Sequence, residues 1–408
     1  MSQIESIAMA DSGPGIKRYA YLVLGVVLLL AMGLVYAWSI FVPPLVAEFG
    51  WQPSKTSMGF TLLMSMFCIG GVLTGFLVKK FPAGFVVFLS AILVGGGFYL
   101  SSTVQGLAGL YLFFSVMVGL GSGMTYNAVL STILKWFPEK IGLVSGLLMM
   151  GFGLGSFILS TLGTASLQKY GWRGTFGLLG VVYFLVILAC SFFVKAPPRA
   201  VAQKSTQGEK GTEGGLELTS GQMLRRKSFW FYFLWAVVLT ASSLMVIGAA
   251  APIAKSLGAD NVKAGLLTGM IAISNGCGRV FAGVMHDKLG RKIVLPIYTV
   301  LFTLTGCVLY LALLSQSLIL LTVGFLMTGL AYGGVPPSNS AVVSNFYGQK
   351  NYPLNFSLAN LSILVASILG PTLAGQMQSR TQSFGGTFIA IIIFGLISIG
   401  FLFKIKKP

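Results

Sequence analysis

The sequence predicts an all-α membrane protein with twelve transmembrane helices arranged as two pseudo-symmetric six-helix bundles. Three observations predict this fold class: an apolar composition, twelve apolar segments of spanning length, and motifs that recur at a nearly constant offset. Of the 408 residues, 55% are hydrophobic and only 9% are charged. Soluble domains carry about 25% charged residues, so the composition excludes an ordinary soluble protein.

The twelve apolar segments are each long enough to cross the ~30 Å hydrocarbon core of a bilayer. They cover residues 19–42, 56–78, 84–103, 107–134, 141–165, 174–194, 229–254, 264–285, 293–313, 318–343, 354–378 and 384–403. With both termini on one side, that side collects 20 of the 27 Lys and Arg residues, and the other side collects six. The positive-inside rule then places both termini in the cytoplasm, which predicts a multi-pass protein of the cytoplasmic (inner) membrane. The net charge of +18 reflects topology, and no nucleic-acid partner is expected.

Five parts follow from this pattern. Residues 1–18 form a cytoplasmic tail, 19–194 the first bundle, 195–228 a cytoplasmic linker, 229–403 the second bundle and 404–408 a second cytoplasmic tail. The linker is predicted to be flexible because Pro, Gly, Ser, Thr and charged residues dominate it without apolar periodicity. The first apolar run is too long for a signal peptide and lacks a small-residue cleavage site, so it is predicted to be retained.

Motifs of the first half recur 208–212 residues later. Gly75-x-x-x-Lys79-Lys80 corresponds to Gly283-x-x-x-Asp287-Lys288, and Gly174-Thr175-Phe176 corresponds to Gly386-Thr387-Phe388. A constant offset indicates a duplicated unit with parallel topology. The binding site is therefore expected near the membrane midplane, between the two halves.

Small residues and prolines make further predictions about helix geometry. Glycines four residues apart allow close helix packing, which is expected at Gly142/Gly146, Gly151/Gly155 and Gly265/Gly269. Pro336-Pro337 and Gly370-Pro371 are expected to bend or break the tenth and eleventh spans.

Cysteine and histidine usage argues against a metal or disulfide framework. All four cysteines lie in apolar segments, and the only histidine, His286, is expected in a solvated loop. Without a CxxC motif or a Cys/His cluster, neither a metal nor a cofactor is predicted.

The eighth segment carries a charge into the bilayer. Arg279 lies in an otherwise apolar or small stretch, and arginine keeps its proton in proteins. Burying the charge costs at least about 2.5 kcal/mol. No predicted span contains Asp or Glu, so the counter-charge is expected to be an exchangeable anion.

Several motifs resemble a known family. The loop Gly283-x-x-x-Asp287-Lys288-x-Gly290-Arg291-Lys292 matches the loop signature of the major facilitator superfamily, whose duplicated twelve-span layout covers the whole chain. Residues 33–39, 136–146 and 346–352 resemble the oxalate/formate antiporter branch, which is similar to the proton-linked monocarboxylate transporters. The resemblance implies the superfamily fold and an arginine on the eighth span as carboxylate anchor, the position of Arg279.

The chain departs from the family at three positions. Lys79 replaces the aspartate of the first-half loop, and Asn275 replaces the aspartate that animal-type monocarboxylate transporters carry one turn before the arginine. The oxalate exchanger has a lysine on its eleventh span, and this chain has no cation between Lys350 and Arg380. Oxalate is therefore the less favoured substrate.

Five residues are predicted to bind the substrate: Arg279, Asn275, Tyr126, Tyr332 and Leu28. At about 1.5 Å rise per residue, Arg279 and the two tyrosines fall within about 8 Å of the midplane. A guanidinium can hold a carboxylate by two charge-assisted bonds, while tyrosine and asparagine donate to its remaining lone pairs. Leu28 is predicted to be an apolar wall. Helix packing and interhelical hydrogen bonds are the structural alternatives for the uncharged residues.

Asp287, Arg291 and Lys292 are assigned to a cytoplasmic gate. One fixed positive charge forms a neutral complex with a monocarboxylate, which favours L-lactate, pyruvate, formate or a similar acid. The expected function is secondary active transport by alternating access, with the lipid bilayer and protons as further partners and a monomer as the acting unit. The alternative is a carboxylate exchanger of the oxalate/formate type, because no span offers an Asp, Glu or His to carry a proton.

Other functional classes fit less well. An intramembrane enzyme needs a nucleophile–base pair, paired acids or metal ligands within the spans, and no catalytic residue is predicted. A channel fits poorly with one buried charge in a duplicated bundle. A sensor would need a signalling domain, which the 34 residues of the linker do not provide.

Overall fold

The computed structural model describes residues 14–197 and 217–406, in which all regular structure is helical. In chain order the helices are α1 (Pro14–Met32), α2 (Val42–Phe49), α3 (Pro53–Leu77), α4 (Ala83–Ser101), α5 (Leu107–Trp136), α6 (Ile141–Ser191), α7 (Ser220–Leu224), α8 (Lys227–Ile247), α9 (Ala250–Ser256), α10 (Asn261–Leu289), α11 (Arg291–Ser315), α12 (Leu318–Tyr347), α13 (Tyr352–Thr381) and α14 (Gly385–Leu402). The rest of the predicted tails and linker, residues 1–13, 198–216 and 407–408, lies outside the described residues.

The helices form two six-helix bundles with twelve crossings, as predicted. Within the described ranges, nine helices are long and apolar enough to cross a membrane. The helix that carries Arg279, α10, is not among the nine, since its polar residues lower its mean hydropathy. The long helix α6 contains two crossings, and the chain turns between them at Gly171 (φ 66°, ψ 177°). Glycine adopts a positive φ without steric cost, which explains a turn inside an otherwise continuous helix.

The interruptions of the spans do not fall at the prolines. Pro336, Pro337 and Pro371 all lie inside continuous helices, so the chain does not break at these positions. The first span is interrupted instead: α1 ends at Met32 and the chain continues as the 3₁₀ helix Gly33–Ile40. Pro336 and Pro337 are buried. Neighbouring helices therefore surround the part of the helix in which the missing proline N–H groups leave the hydrogen-bond ladder incomplete, and this packing stabilises it.

The side of the molecule on which α1 begins is here called the terminal side. Arg18 pairs with Glu139, just before α6, at 2.7 Å. The start of α6 contacts Asp287 near the end of α10, and Lys406 at the end of the described chain lies beside Arg291 at the start of α11. The first span therefore begins on this side, and the last span ends on it.

The apolar core shows where the bundles meet. The larger core cluster fills the first bundle and continues on the terminal side into the second bundle, through residues such as Ala282, Leu295 and Val342. The smaller cluster, which includes Met245, Ile271 and Phe388, belongs to the second bundle alone. The two cores merge on the terminal side.

Glycine pairs explain how closely the helices approach. A Cβ on Gly146 of α6 would lie 2.5 Å from the Arg279 carbonyl oxygen of α10, and one on Gly151 would lie 2.7 Å from the Val26 carbonyl oxygen of α1. These two pairings confirm the predicted close packing along α6. The prediction for Gly265/Gly269 is wrong, because a Cβ at either position meets no atom within 4 Å.

The end of the predicted flexible linker is ordered. The Glu217 carboxylate accepts the backbone N–H groups of Gln349 (3.1 Å) and Lys350 (2.8 Å), and Leu218 donates its N–H to the Tyr347 carbonyl (3.1 Å). Thr219 then caps the short helix α7. Residues 217–224 therefore pack on the α12–α13 turn instead of forming a free tether.

Candidate functional site

Arg279 is buried at the boundary between the two bundles, with 3% of its surface exposed. Its Nη1 donates to the Met149 carbonyl of α6 at 2.5 Å, and its Nε donates to Asn275 Oδ1 at 3.3 Å. Both acceptors are uncharged. The three ion pairs found in the described part of the chain all involve other residues. Its charge is thus buried with partial compensation from neutral oxygens.

Glycines on two flanking helices allow close packing around Arg279. A Cβ built on Gly153 of α6 would lie 3.3 Å from Arg279 Cζ, and one on Gly333 of α12 would lie 3.0 Å from the Arg279 backbone nitrogen. Gly153 therefore leaves space for the guanidinium, which a larger residue would fill, and Gly333 lets the backbones of α12 and α10 approach closely at Arg279.

The guanidinium borders a cavity of about 590 Å³, part of it open to solvent. Five of the residues that line it are aromatic: Phe67, Tyr126, Phe152, Tyr332 and Phe356. Of residues 14–197 and 217–406, which the structure describes, Arg279 is the one charged residue in the lining. An apolar, aromatic cavity with few polar groups is typical of small-molecule sites, and its low polarity strengthens the attraction of Arg279 for an anion.

The structure brings Tyr126 and Tyr332 to this cavity together with Arg279. Tyr126 is 7% exposed and packs against Phe67 and Phe152, with ring centroids 5.3 and 5.1 Å away. Tyr332 is 6% exposed and comes from α12, on the other bundle. The two phenols thus reach the cavity from opposite halves.

The other two predicted substrate residues lie elsewhere. Asn275 is half-buried, and its contact is the hydrogen bond to Arg279 Nε rather than the cavity wall. Leu28 is completely buried in the core of the first bundle and does not line the cavity. Leu28 lies in the regular part of α1, on the face of that helix that packs into the first bundle.

Three polar cavity residues were missed by sequence reasoning: Asn127, Ser357 and Asn360. All three are polar residues inside apolar spans, which is the signal that could have found them. Asn360 ends a buried chain in which the Tyr232 hydroxyl donates to Asn339 Oδ1 (2.7 Å) and Asn339 Nδ2 donates to Asn360 Oδ1 (2.9 Å). Because this chain occupies Oδ1 of Asn360, its amino group is left to donate at the cavity wall.

On the terminal side the cavity is closed by two contacts between the bundles. In the first, the Asp287 carboxylate at the end of α10 accepts the N–H groups of Gly142 (2.8 Å) and Leu143 (2.7 Å) at the start of α6. These N–H groups have no partner inside their own helix, and a carboxylate there also interacts favourably with the helix dipole. One bundle thereby caps a helix of the other.

The second contact involves α3, α5 and α13. Asn127 Nδ2 faces three oxygen acceptors: the Gly71 carbonyl (2.6 Å), the Pro353 carbonyl (2.9 Å) and the Ser357 hydroxyl. Ser357 also donates across the interface to the Gly71 carbonyl at 2.8 Å. Uncharged groups make all of these bonds.

The other predicted gate residues do not reach these contacts. The Arg291 guanidinium lies over the Phe346 ring, 3.9 Å from its centroid, and Lys292 points with it into a groove beside α14. His286 is not in a solvated loop but is 6% exposed inside α10, with Nε2 2.8 Å from Ser338 Oγ of α12. Loop assignment failed here because α10 continues to Leu289.

Within residues 14–197 and 217–406, no three His, Cys, Asp or Glu side chains come close enough to hold an ion. The four cysteines are free.

The sequence profile of the Major Facilitator Superfamily matches residues 23–251 and again residues 236–408. The uncharacterized MFS-type transporter YhjX of Escherichia coli (strain K12) is 30% identical over 86% of both chains. The oxalate:formate antiporter of Oxalobacter formigenes is 26% identical, covering 93% of this chain and 90% of its own. Monocarboxylate transporter 13 of Bos taurus is 25% identical, covering 91% and 85%.

Solved structures agree on the fold. The proton:xylose symporter XylE superposes with a TM-score of 0.73 at 15% identity, covering 96% of this chain and 97% of its own. The predicted resemblance is confirmed, because an oxalate:formate antiporter and monocarboxylate transporters are both among the matching relatives. With both halves of the chain matched, this protein belongs to the major facilitator superfamily.

Proposed function

We propose that this chain is a secondary transporter that carries a small monocarboxylate, such as L-lactate or pyruvate, across the cytoplasmic membrane together with a proton. One observation carries the proposal: the buried Arg279 lies between the bundles with no carboxylate partner among the described residues. An arginine with only neutral acceptors in an apolar cavity binds an incoming carboxylate strongly, because a bidentate pair restores the missing charge.

The bond from Arg279 to Met149 suggests how binding couples to movement. This bond joins α10 of the second bundle to α6 of the first. A carboxylate that accepts the Nη1 hydrogen bond in place of the Met149 carbonyl removes one link between the bundles and neutralises the charge at the same time. The loaded carrier then reorients more readily than the empty one, which is the requirement for alternating access.

The amino group of Asn360 and the phenols of Tyr126 and Tyr332 supply further donors around the anion. They suit a second carboxylate oxygen or a 2-hydroxy or 2-oxo group. A second carboxylate would find no second cation among the described residues that line the cavity. Charge balance therefore favours monocarboxylates over oxalate.

If the terminal side is cytoplasmic, as the distribution of Lys and Arg favours, the cavity is closed toward the cytoplasm. Gly265 and Gly269 of α10 and Gly375 of α13 face open space on the other side. This arrangement corresponds to a carrier that admits its substrate from outside the cell.

The test is uptake of radiolabelled L-lactate into proteoliposomes. An inward proton gradient should drive uptake by the unmodified protein, and Arg279→Ala should lower uptake at least about 100-fold, since two charge-assisted bonds are lost. Arg279→Lys keeps the charge without the bidentate geometry and should restore only part of the activity. Arg380→Ala removes an exposed arginine far from the cavity and serves as the matched control. Full lactate uptake by Arg279→Ala would refute the proposal.

Carboxylate exchange is the second candidate, and the cavity lining favours it. Among the described residues, no Asp, Glu or His lines the cavity, so none of these side chains there is suited to carry a proton near neutral pH. Loading the vesicles with unlabelled lactate or formate separates the two mechanisms. Uptake that requires the internal anion and ignores the proton gradient would establish exchange.

A further inference from the structure

A second concave surface lies on the terminal side, between the start of α11 and the end of α14. Its volume is about 690 Å³, including open solvent. The lining combines three cations with four apolar residues: Arg291, Lys292, Lys406, Leu295, Pro296, Leu402 and Ile405. We call this surface the α11–α14 groove.

The three cations have no acidic partner in the part of the chain that the structure describes. None of them takes part in an ion pair there. The nearest acid in the sequence, Asp287, is occupied by two backbone N–H groups of α6, and Glu217 is occupied by those of Gln349 and Lys350. As far as the described residues show, the groove therefore presents three positive charges without an acidic partner.

Two local features of α11, one at Arg291 and one at Pro296, also shape the groove. The Arg291 guanidinium is held over the Phe346 ring, which fixes its direction. Pro296 lies inside α11 and has no backbone N–H, so the Lys292 carbonyl lacks its usual helical donor. An acceptor thus lies beside the cations and suits a ligand that carries hydroxyl groups as well as negative charge.

Apolar surface continues from the groove along both helices. Ile293 and Ile297 of α11 are 50% and 40% exposed, and Leu396 and Ile397 of α14 are 55% and 46% exposed. In a membrane protein these residues face acyl chains. A ligand of the groove therefore has an anionic, hydroxyl-bearing head and a hydrocarbon body, and free phosphate satisfies only the first part.

We propose that the α11–α14 groove binds an acidic phospholipid, with its phosphate among Arg291, Lys292 and Lys406 and its acyl chains along α11 and α14. Three cations exceed the charge of one phosphate, so a lipid with two phosphates binds more tightly than one with a single phosphate. Each Lys or Arg near an acidic headgroup contributes about a fivefold gain in affinity. The groove is distinct from the cavity at Arg279.

The test measures lipid retention by the detergent-purified full-length protein in native mass spectrometry, titrated separately with phosphatidylglycerol, cardiolipin, phosphatidylcholine and inorganic phosphate. Cardiolipin should bind more tightly than phosphatidylglycerol, and phosphatidylcholine should not be retained. Arg291→Gln/Lys292→Gln/Lys406→Gln should weaken binding of the acidic lipids about a hundredfold. An unchanged melting temperature in detergent checks that the variant is folded.

Lys79→Gln/Lys80→Gln/Lys404→Gln is the matched control, because it removes the same charge on the terminal side from residues that do not line the groove. This control should retain acidic lipids as the unmodified protein does. Equal losses in the two triple variants would overturn the proposal in favour of diffuse attraction. Retention of phosphatidylcholine, or inorganic phosphate displacing the lipid at equal concentration, would also overturn it.

Discussion

The two contacts that close the terminal side are related by the internal repeat, yet they use different chemistry. At one, Gly283 of α10 packs against Gly142 at the start of α6. At the other, Gly75 of α3 packs against Leu354 at the start of α13. The backbone approach is thus duplicated. The charge is not, because Asp287 caps α6 whereas its counterpart Lys79 is exposed.

The helix that would receive the second cap explains the difference. The second residue of α6 is Gly142, whose N–H bonds Asp287, whereas the second residue of α13 is Pro353, which has no N–H. A carboxylate at position 79 would find one fewer donor. Asn127 and Ser357 provide neutral bonds across this contact instead. A repeat can keep its helix packing while its polar contacts diverge.

Among the variants that test the difference between the two contacts, Asp287→Ala is expected to change the labelling rate most. Losing a cap costs about 0.5–2 kcal/mol, which shifts the balance between the two facing states by about 2- to 30-fold toward opening on the terminal side. The cavity residue Cys68, kept as the sole cysteine, reports this shift through its labelling rate by a charged maleimide added to the terminal side. Asp260→Ala is the control, since Asp260 caps α10 within a single bundle and should leave the rate unchanged. Equal rates in the two variants would show that Asp287 does not hold the gate.

A smaller shift of the same sign is expected from Asn127→Ala. Asn127 Nδ2 has two N–H groups, and one of them can serve the Gly71 carbonyl within the first bundle, so one neutral bond between the bundles is lost. At about 0.5–1.5 kcal/mol for that bond, Cys68 labelling should rise by about fivefold. Asn351→Ala is the matched comparison, because Asn351 bonds Leu218 within the second half. If the labelling rate of Cys68 rises more in Asn127→Ala than in Asp287→Ala, the neutral contact is the stronger of the two.

The smallest effect is expected from Lys79→Asp, which should change labelling less than about twofold because Pro353 offers no donor. Combining it with Pro353→Ala should restore the cap and slow labelling from the terminal side about threefold. The single Pro353→Ala variant is the control. A strong effect of Lys79→Asp alone would contradict the explanation from Pro353.

Most of the fold could be predicted from the sequence, because a bilayer leaves few choices: apolar length defines the spans, and repeated motifs reveal the duplication. The interruptions could not be predicted in the same way. Gly171 and the 3₁₀ stretch after Met32 break the helices, whereas Pro336 and Pro337 do not. Whether a proline breaks a helix depends on its neighbours in the folded bundle, which local sequence does not contain.

Within the site, the residues with the strongest physical signal were found. An arginine is unusual in any span, which identified Arg279. Tyr126 and Tyr332 were identified because their predicted depth in the membrane is similar, and all three line the cavity. Leu28 was misplaced because the sequence of an apolar helix does not show which of its faces packs into the core of its own bundle. Asn127, Ser357 and Asn360 were missed although they are polar, since their partners come from helices far away in the sequence.

The bond between Arg279 and Met149 also has a consequence for how the chain enters the membrane. The helix that carries Arg279 is too polar to rank among the nine apolar spans, and its acceptor belongs to the half that the ribosome makes first. Insertion of a central arginine costs about 2.5–3.5 kcal/mol when no partner is present. The first half therefore provides a preformed surface for the second during synthesis, and a separately expressed second half would insert this helix poorly.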